Sequence, residues 1–228
     1  MADISLARGD ATLRATVAGT GPTVLLLHAG EERRGIWAPV SARMARCGLR
    51  TVAYDQRGHG DSSGRATRLA AFASDVIAML RREPAPVVVV GASLGGLAAI
   101  AALAEPSTAD RVAGLVLVDV VPDPDPDRVR PWLDDRGLLA RNAELAEDIL
   151  GSGPDLLATV AALDMPILLV RGGRSPISDT DVDRLCAASG RVTVVCVPAA
   201  GHLVARDAPA ELAHIVSAHA SNWLDAGD

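Results

Sequence analysis

Six short, uncharged runs rich in β-branched residues constrain this chain more than any other feature: residues 24–27, 51–54, 87–90, 115–118, 167–170 and 192–197. A strand with one wet face alternates apolar and polar residues, whereas a strand covered on both faces is apolar throughout, so these runs are expected to be buried strands of a largely parallel sheet. Between them lie stretches of helical period, residues 36–47, 69–82, 94–104, 179–188 and 210–224, with Leu69, Phe72, Val76 and Leu80 on one face of the second. Strands and helices in alternation define an α/β chain, a central sheet flanked by helices. Residues 4–6 and 12–18 alternate more weakly and suit an antiparallel edge hairpin. Residues 122–163 break the rhythm. They offer an Asp-Pro-Asp-Pro-Asp run and two or three short amphipathic helices around Trp132, Leu138, Leu145 and Leu150, expected as a small helical lid inserted over the sheet.

The 228 residues, 49% apolar and 22% charged, suffice for one sizeable core, and no linker divides them, so a single domain over 1–228 is expected and disorder is excluded. The net charge of −6, with no basic run longer than Arg33-Arg34 or Arg81-Arg82, argues against a nucleic-acid partner. Every basic residue is Arg, which reads as codon bias and carries no function. Cys47, Cys186 and Cys196 are odd in number and lack C-x-x-C spacing, so neither a disulfide framework nor a zinc site is expected, and a reducing cytoplasm suits them. Residues 1–10 hold acids and no apolar stretch of signal-peptide type. Residues 87–104 are uncharged over about the length of a membrane span. Their central Gly-Ala-Ser-Leu-Gly-Gly reads instead as a turn between a buried strand and a helix, and no membrane partner is expected.

That turn carries the chemistry. Gly91-Ala92-Ser93-Leu94-Gly95 fits G-x-S-x-G directly after a strand and directly before a helix, where a sharp, strained turn lifts a serine hydroxyl off the sheet edge and small neighbours avoid clashes. The helix N-terminus behind it offers backbone N–H groups to a developing oxyanion. The plainer reading is a glycine-rich turn with an ordinary serine. A serine nucleophile needs a base, and His202, in the small-residue loop Ala199-Ala200-Gly201-His202-Leu203 after the last strand, is the best placed. His28 at a strand end suits a structural hydrogen bond, His59 lies in a Gly-flanked turn, and His214 and His219 are expected on the surface of the last helix.

With these residues the chain resembles the α/β-hydrolase fold superfamily. His28-Ala29-Gly30 is similar to that family's His-Gly-x oxyanion loop, and Asp55-Gln56-Arg57-Gly58-His59-Gly60-Asp61-Ser62 to its D-x-R-G-x-G-x-S turn. The resemblance implies that the N–H groups of Gly30 and Leu94 form the oxyanion hole and that Arg57 and Asp61 bond the loops. Two departures follow. Ala29 stands where Gly is usual, and Glu31-Glu32-Arg33-Arg34 follow it, either as a solvated loop or with Glu31 or Arg33 reaching the pocket to read a polar substrate. The family's frequent G-x-x-D after the run 167–170 is here Gly172-Gly173-Arg174-Ser175, with Ser in the acid's place. Asp119, at the end of the preceding strand, is the first candidate for the acid, and Asp179, at a helix start, the alternative; a Ser-His dyad is the third possibility. Trp132 suits either lid core or pocket wall.

The expectation is a serine hydrolase of a carboxylic ester, lactone or thioester, acting through Ser93, His202 and Asp119 and an acyl-enzyme. No ligand cluster or phosphate-binding glycine fingerprint is present, so no metal and no organic cofactor is expected. With five aromatic residues in all, the pocket is expected to be lined by Leu, Val, Ala and Met and to take a small-molecule substrate with an apolar acyl or ester part. The same fold and triad also serve cofactor-free oxygenation, C–C bond cleavage, cyclisation or binding alone.

Overall fold

In a computed structural model, which describes residues 1–65 and 67–225, each of the six apolar runs is a strand. With the amino-terminal hairpin they make eight: β1 (Ala2–Arg8), β2 (Ala11–Ala18), β3 (Thr23–Leu27), β4 (Arg50–Tyr54), β5 (Val87–Ala92), β6 (Val112–Val118), β7 (Ile167–Gly172) and β8 (Val192–Val197). The sheet order is β1-β2-β4-β3-β5-β6-β7-β8; β1 and β2 pair antiparallel with their neighbours and every other pairing is parallel.

The continuous apolar runs have a physical cause in the two cores they separate. Leu25, Leu27, Val87, Val89, Leu115, Leu117, Ile167 and Leu169 face one core, and the residues between them, Val24, Leu26, Val88, Val90, Val116, Val118, Leu168 and Val170, face the other. The first core is closed by α2 (Leu69–Arg82) and α3 (Leu94–Leu103), where Leu69, Phe72, Val76 and Leu80 are buried as the helical period requires. The second is closed by α1 (Ala38–Arg46), which follows a 3₁₀ turn at Arg34–Trp37, and by α11 (Pro209–Asp225). Each fully buried Val, Leu or Phe contributes about 1.5–3 kcal/mol before the ordering entropy is charged against it. The uncharged stretch after β5 is α3, whose residues are almost all buried, so its lack of a polar face reflects a helix sandwiched in the core. No helix among the described residues is long and apolar enough to cross a membrane.

Short helices fill the joints: α4 (Pro106–Ala109) before β6, α9 (Asp179–Ala188) before β8 and α10 (Val204–Asp207) before α11. The insertion holds four helices rather than two or three: α5 (Pro126–Asp134), α6 (Leu138–Arg141), α7 (Ala143–Gly151) and α8 (Gly153–Ala162). Gly137, at φ 64°, separates α5 from α6, and Pro126 and Pro154 open α5 and α8. The lid is tied to the body by polar bonds. Arg128 pairs with Asp181 of α9, Arg184 of α9 with Asp123, and Asp148 of α7 accepts the Leu69 N–H at 2.7 Å, capping α2 in place of a side chain of its own.

Candidate active site

The sheet register decides which residues meet. Ala92 pairs with Val118 and Val118 with Val170, so Ser93, Asp119 and the Arg171-Gly172 peptide stand side by side at the carboxyl ends of β5, β6 and β7. Ser93 has φ 47° and Asp119 φ 51°, left-handed backbone that a side-chain-bearing residue adopts only under constraint. For Ser93 the constraint is the close fit of the turn. A Cβ on Gly91 would lie 2.5 Å from Gly96 Cα, and one on Gly95 would lie 2.6 Å from the Leu27 carbonyl oxygen. Only glycine permits that approach, which explains the two glycines flanking the serine.

His202 arrives on the loop between β8 and α10, and its Nδ1 lies 2.8 Å from Asp119 Oδ2. The carboxylate is 1% exposed and is held by two further donors: the Gly172 N–H at 2.8 Å on Oδ1 and the Ser175 hydroxyl at 2.8 Å on Oδ2. Ser175 is the residue that occupies the family's usual acid position. It was visible in the sequence as a vacancy, and the structure makes it a hydrogen-bond donor to the carboxylate next door. Asp179, in contrast, is exposed at the start of α9 and pairs with Arg171, with no hydrogen bond or ion pair to the imidazole, while Ser178 and Asp181 form the capping box of that helix.

The loop after β3 is organised by His28. Its Nε2 accepts the Gln56 N–H at 2.9 Å, which assigns the proton to Nδ1, and Nδ1–H donates to the Ala29 carbonyl at 2.7 Å. That carbonyl belongs to the same peptide unit as the Gly30 N–H, so the histidine fixes the direction of that N–H. Burial drives the His28 pKa down from 6.5 to about 4, which keeps the ring neutral and able to accept from Gln56. A Cβ on Gly30 would lie 3.9 Å from Leu94 Cβ, so the two backbones are neighbours, and neither the Gly30 N–H nor the Leu94 N–H donates to a protein acceptor among the described residues.

The D-x-R-G-x-G-x-S turn braces this loop. Asp55, fully buried, accepts from the Arg34 backbone and guanidinium and from the Asp61 N–H; Arg34 also pairs with Asp61 at 2.9 Å. Arg57 forks onto Asp75 of α2 at 2.7 and 2.8 Å, and this pairing raises the guanidinium pKa. The charged run after Gly30 is therefore only partly solvated. Glu31, at φ 63°, lines the cavity and reaches the lid, accepting from Asn142 at 3.1 Å and pairing with Arg141 at 3.5 Å. Arg33 does not line that cavity.

Ser93, His202, Gly30, Leu94, Ala29 and Trp132 all line one cavity of about 760 Å³ between the sheet edge and the lid. Its apolar wall comes from Leu, Val, Ile and Ala residues and not from the expected methionines. Met44, Met79 and Met165 are buried in the two cores or at their edge, where unbranched side chains fill gaps. Trp132 is a wall residue, meeting the His202 ring edge to face with centroids 4.7 Å apart. Of the remaining histidines, His214 is exposed, whereas His219 is half-buried and packs on Trp223 rather than lying free on the surface. Among the described residues no cluster of three or more His, Cys, Asp and Glu side chains could hold a metal ion.

Comparison with known proteins agrees with this architecture. Protein phosphatase methylesterase 1 of Bos taurus is 34% identical over 122 residues, 50% of this chain and 32% of that enzyme, so the match spans about a third of the relative's length. The 2-(acetamidomethylene)succinate hydrolase of Mesorhizobium japonicum is 26% identical over 96% of this chain and 93% of its own. Among solved structures, the thioesterase domain from the curacin biosynthetic pathway superposes with a TM-score of 0.77 at 20% identity, covering 95% of this chain and 98% of the domain. An N-acyl homoserine lactonase complexed with N-hexanoyl homoserine lactone does so with 0.79 at 19% identity, covering 99% of each chain. The alpha/beta hydrolase family model matches residues 24–215, a span that takes in the parallel sheet, the lid and every cavity residue named above, and the chain belongs to that family.

Proposed function

We propose that this protein is a serine hydrolase acting on a small carboxylic ester, lactone or thioester through Ser93, His202 and Asp119. The observation that carries the reading is the 2.8 Å bond between His202 Nδ1 and the buried Asp119 carboxylate, beside the strained Ser93 in one cavity. A carboxylate only accepts, so it holds the imidazole proton on Nδ1 and leaves a lone pair on Nε2. Nε2 takes the Ser93 proton as Oγ attacks the substrate carbonyl, and the N–H groups of Gly30 and Leu94 receive the oxyanion. The imidazolium then gives its proton to the departing oxygen or sulfur. Water, deprotonated in turn by His202, attacks the acyl-Ser93 carbonyl, releases the acid and restores the serine. No step requires a metal or organic cofactor. Two named relatives, a methylesterase and a hydrolase of a substituted succinate, support carbonyl hydrolysis as the reaction class.

The test is turnover of activated esters by Ser93→Ala, which should fall by on the order of 10⁶ in kcat with the melting temperature retained. A fluorophosphonate should label the native protein at Ser93 and leave the variant unlabelled. Ester turnover surviving in the variant refutes the reading, and labelling without release of an acid product points to the non-hydrolytic or binding uses of this fold.

A further inference from the structure

Five arginines line the cavity, in a chain with more acids than bases, and they are of two kinds. Arg128, Arg141 and Arg206 each have a carboxylate partner, in Asp181, Glu31 and Asp207. Arg136 and Arg174 form no ion pair among the described residues, although Asp134 and Asp135 adjoin Arg136 in sequence. Both are nevertheless held in place. The Arg136 guanidinium lies 4.2 Å above the Trp132 ring centroid and donates to the Trp132 carbonyl at 3.1 Å. Arg174 donates to the Ala199 carbonyl, just upstream of His202, and precedes Ser175, which bonds Asp119.

These contacts put both free cations on the His202 side of the cavity. Trp132, which carries Arg136, is the ring that meets His202 edge to face. Glu31 and Glu32 follow Gly30 in sequence, while on the His202 side Asp119 is held by the imidazole and Asp207 by Arg206 and the Gly201 N–H. Five carboxylates line the cavity in total, equal to the number of arginines, so the cavity holds no general positive surplus and its two unpaired guanidiniums suit a single negative charge rather than a polyanion. A guanidinium offers five N–H groups in a planar fork that matches a carboxylate, and stacking on indole fixes the fork so that less freedom is lost when the anion binds.

In the reaction proposed above, on which this inference rests, His202 returns its proton to the departing oxygen or sulfur, so the leaving group occupies the His202 side. The geometry points to a substrate whose departing half carries a carboxylate, received by Arg136 with Arg174 as the second cation. The apolar lid wall is left for the acyl half. Because both arginines are exposed, their replacement disturbs no core, and the variants remain folded by the criterion of an unchanged melting temperature.

The experiment compares phenyl acetate with 4-carboxyphenyl acetate in the native protein and in Arg136→Gln, Arg174→Gln and the double variant. The native kcat/KM should favour the carboxylated ester by about tenfold or more, as a charge-assisted hydrogen bond at a partly open site gives. The preference should shrink between about 0.05 and 0.5 M salt and fall severalfold in each variant, chiefly through KM. Calorimetric titration with 4-hydroxybenzoate and with phenol reads the same preference without turnover. Equal affinity for the two in the native protein, or a preference unchanged in the double variant, overturns the inference. Selective binding of 4-hydroxybenzoate without turnover of either ester would keep the carboxylate site at Arg136 and Arg174 and remove the hydrolase reading, and with it the assignment of that carboxylate to a departing group.

Discussion

Replacement of Asp119 by Asn tests the proposed triad with the least change of shape. The carboxylate accepts three hydrogen bonds, from Gly172 N–H, Ser175 O–H and His202 Nδ1–H, each at 2.8 Å. An amide has one accepting oxygen and one donating NH₂. With the oxygen kept on Gly172 N–H, which can only donate, the NH₂ faces Ser175 and His202. Ser175 adapts by turning its hydroxyl, but the imidazole adapts only by moving its proton to Nε2, where no lone pair remains to take the Ser93 proton. Turning the amide over keeps the active tautomer and instead sets two donors, NH₂ and Gly172 N–H, against each other in a buried site. That arrangement costs about 1–3 kcal/mol, or roughly 5- to 200-fold in the population able to react. Loss of the charge that stabilises the imidazolium adds to this, and a wholly wrong tautomer costs about 10⁴ in kcat, so Asp119→Asn should lose about 10² to 10⁴ in kcat with little change in KM. Asp179→Asn removes only an exposed pairing with Arg171 and should leave kcat intact. The assay is steady-state hydrolysis of an activated ester, with thermal melting as the control for folding. Asp119→Asn retaining more than about a tenth of native kcat, or Asp179→Asn collapsing instead, refutes the assignment.

Two further outcomes follow from the loop and the turn. His28 is held neutral with its pKa lowered from 6.5 to about 4, so the unfolded chain binds the proton more readily and stability falls as pH drops from about 6.5 to about 4, by about 3 kcal/mol in full. Urea midpoints at pH 7 and pH 4 should show this component in the native protein and not in His28→Gln; equal losses in the two would mean that the ring is not kept neutral. Gly91→Ala drives a Cβ to 2.5 Å from Gly96 Cα and should cost about 3 kcal/mol or prevent folding, while Gly35→Ala meets nothing within 4 Å and should melt close to the native temperature. Equal melting points for the two variants would refute the packing argument for the turn.

The strands and the serine turn were legible because their causes are local. Burial on both faces writes itself into consecutive residues, and a strained strand-to-helix turn writes itself into flanking glycines. The lid was legible only as an interruption. Its four helices are set by proline and glycine breaks, and its ties, such as Asp148 to Leu69 N–H and Asn142 to Glu31, join positions distant in sequence with no pattern around either partner.

The carboxylate beside His202 was ambiguous for the same reason. What distinguishes Asp119 from Asp179 is distance to a ring 83 residues further along the chain, and no periodicity encodes it. The register supplies what the pattern lacks. Neighbouring strands lie about 4.8 Å apart, so a side chain at the end of β6 and one after β7 can approach the same imidazole. With the carboxylate on β6, a second carboxylate at position 175 would face it at hydrogen-bond distance and force one of the two to hold a proton. A serine there has the opposite effect, because its hydroxyl donates to Asp119 Oδ2 while its oxygen accepts the Ile177 N–H at 3.0 Å. Asp119 and Ser175 are therefore one structural choice made at two positions. The apparent gap in the sequence after β7 is the complement of the carboxylate at the end of β6.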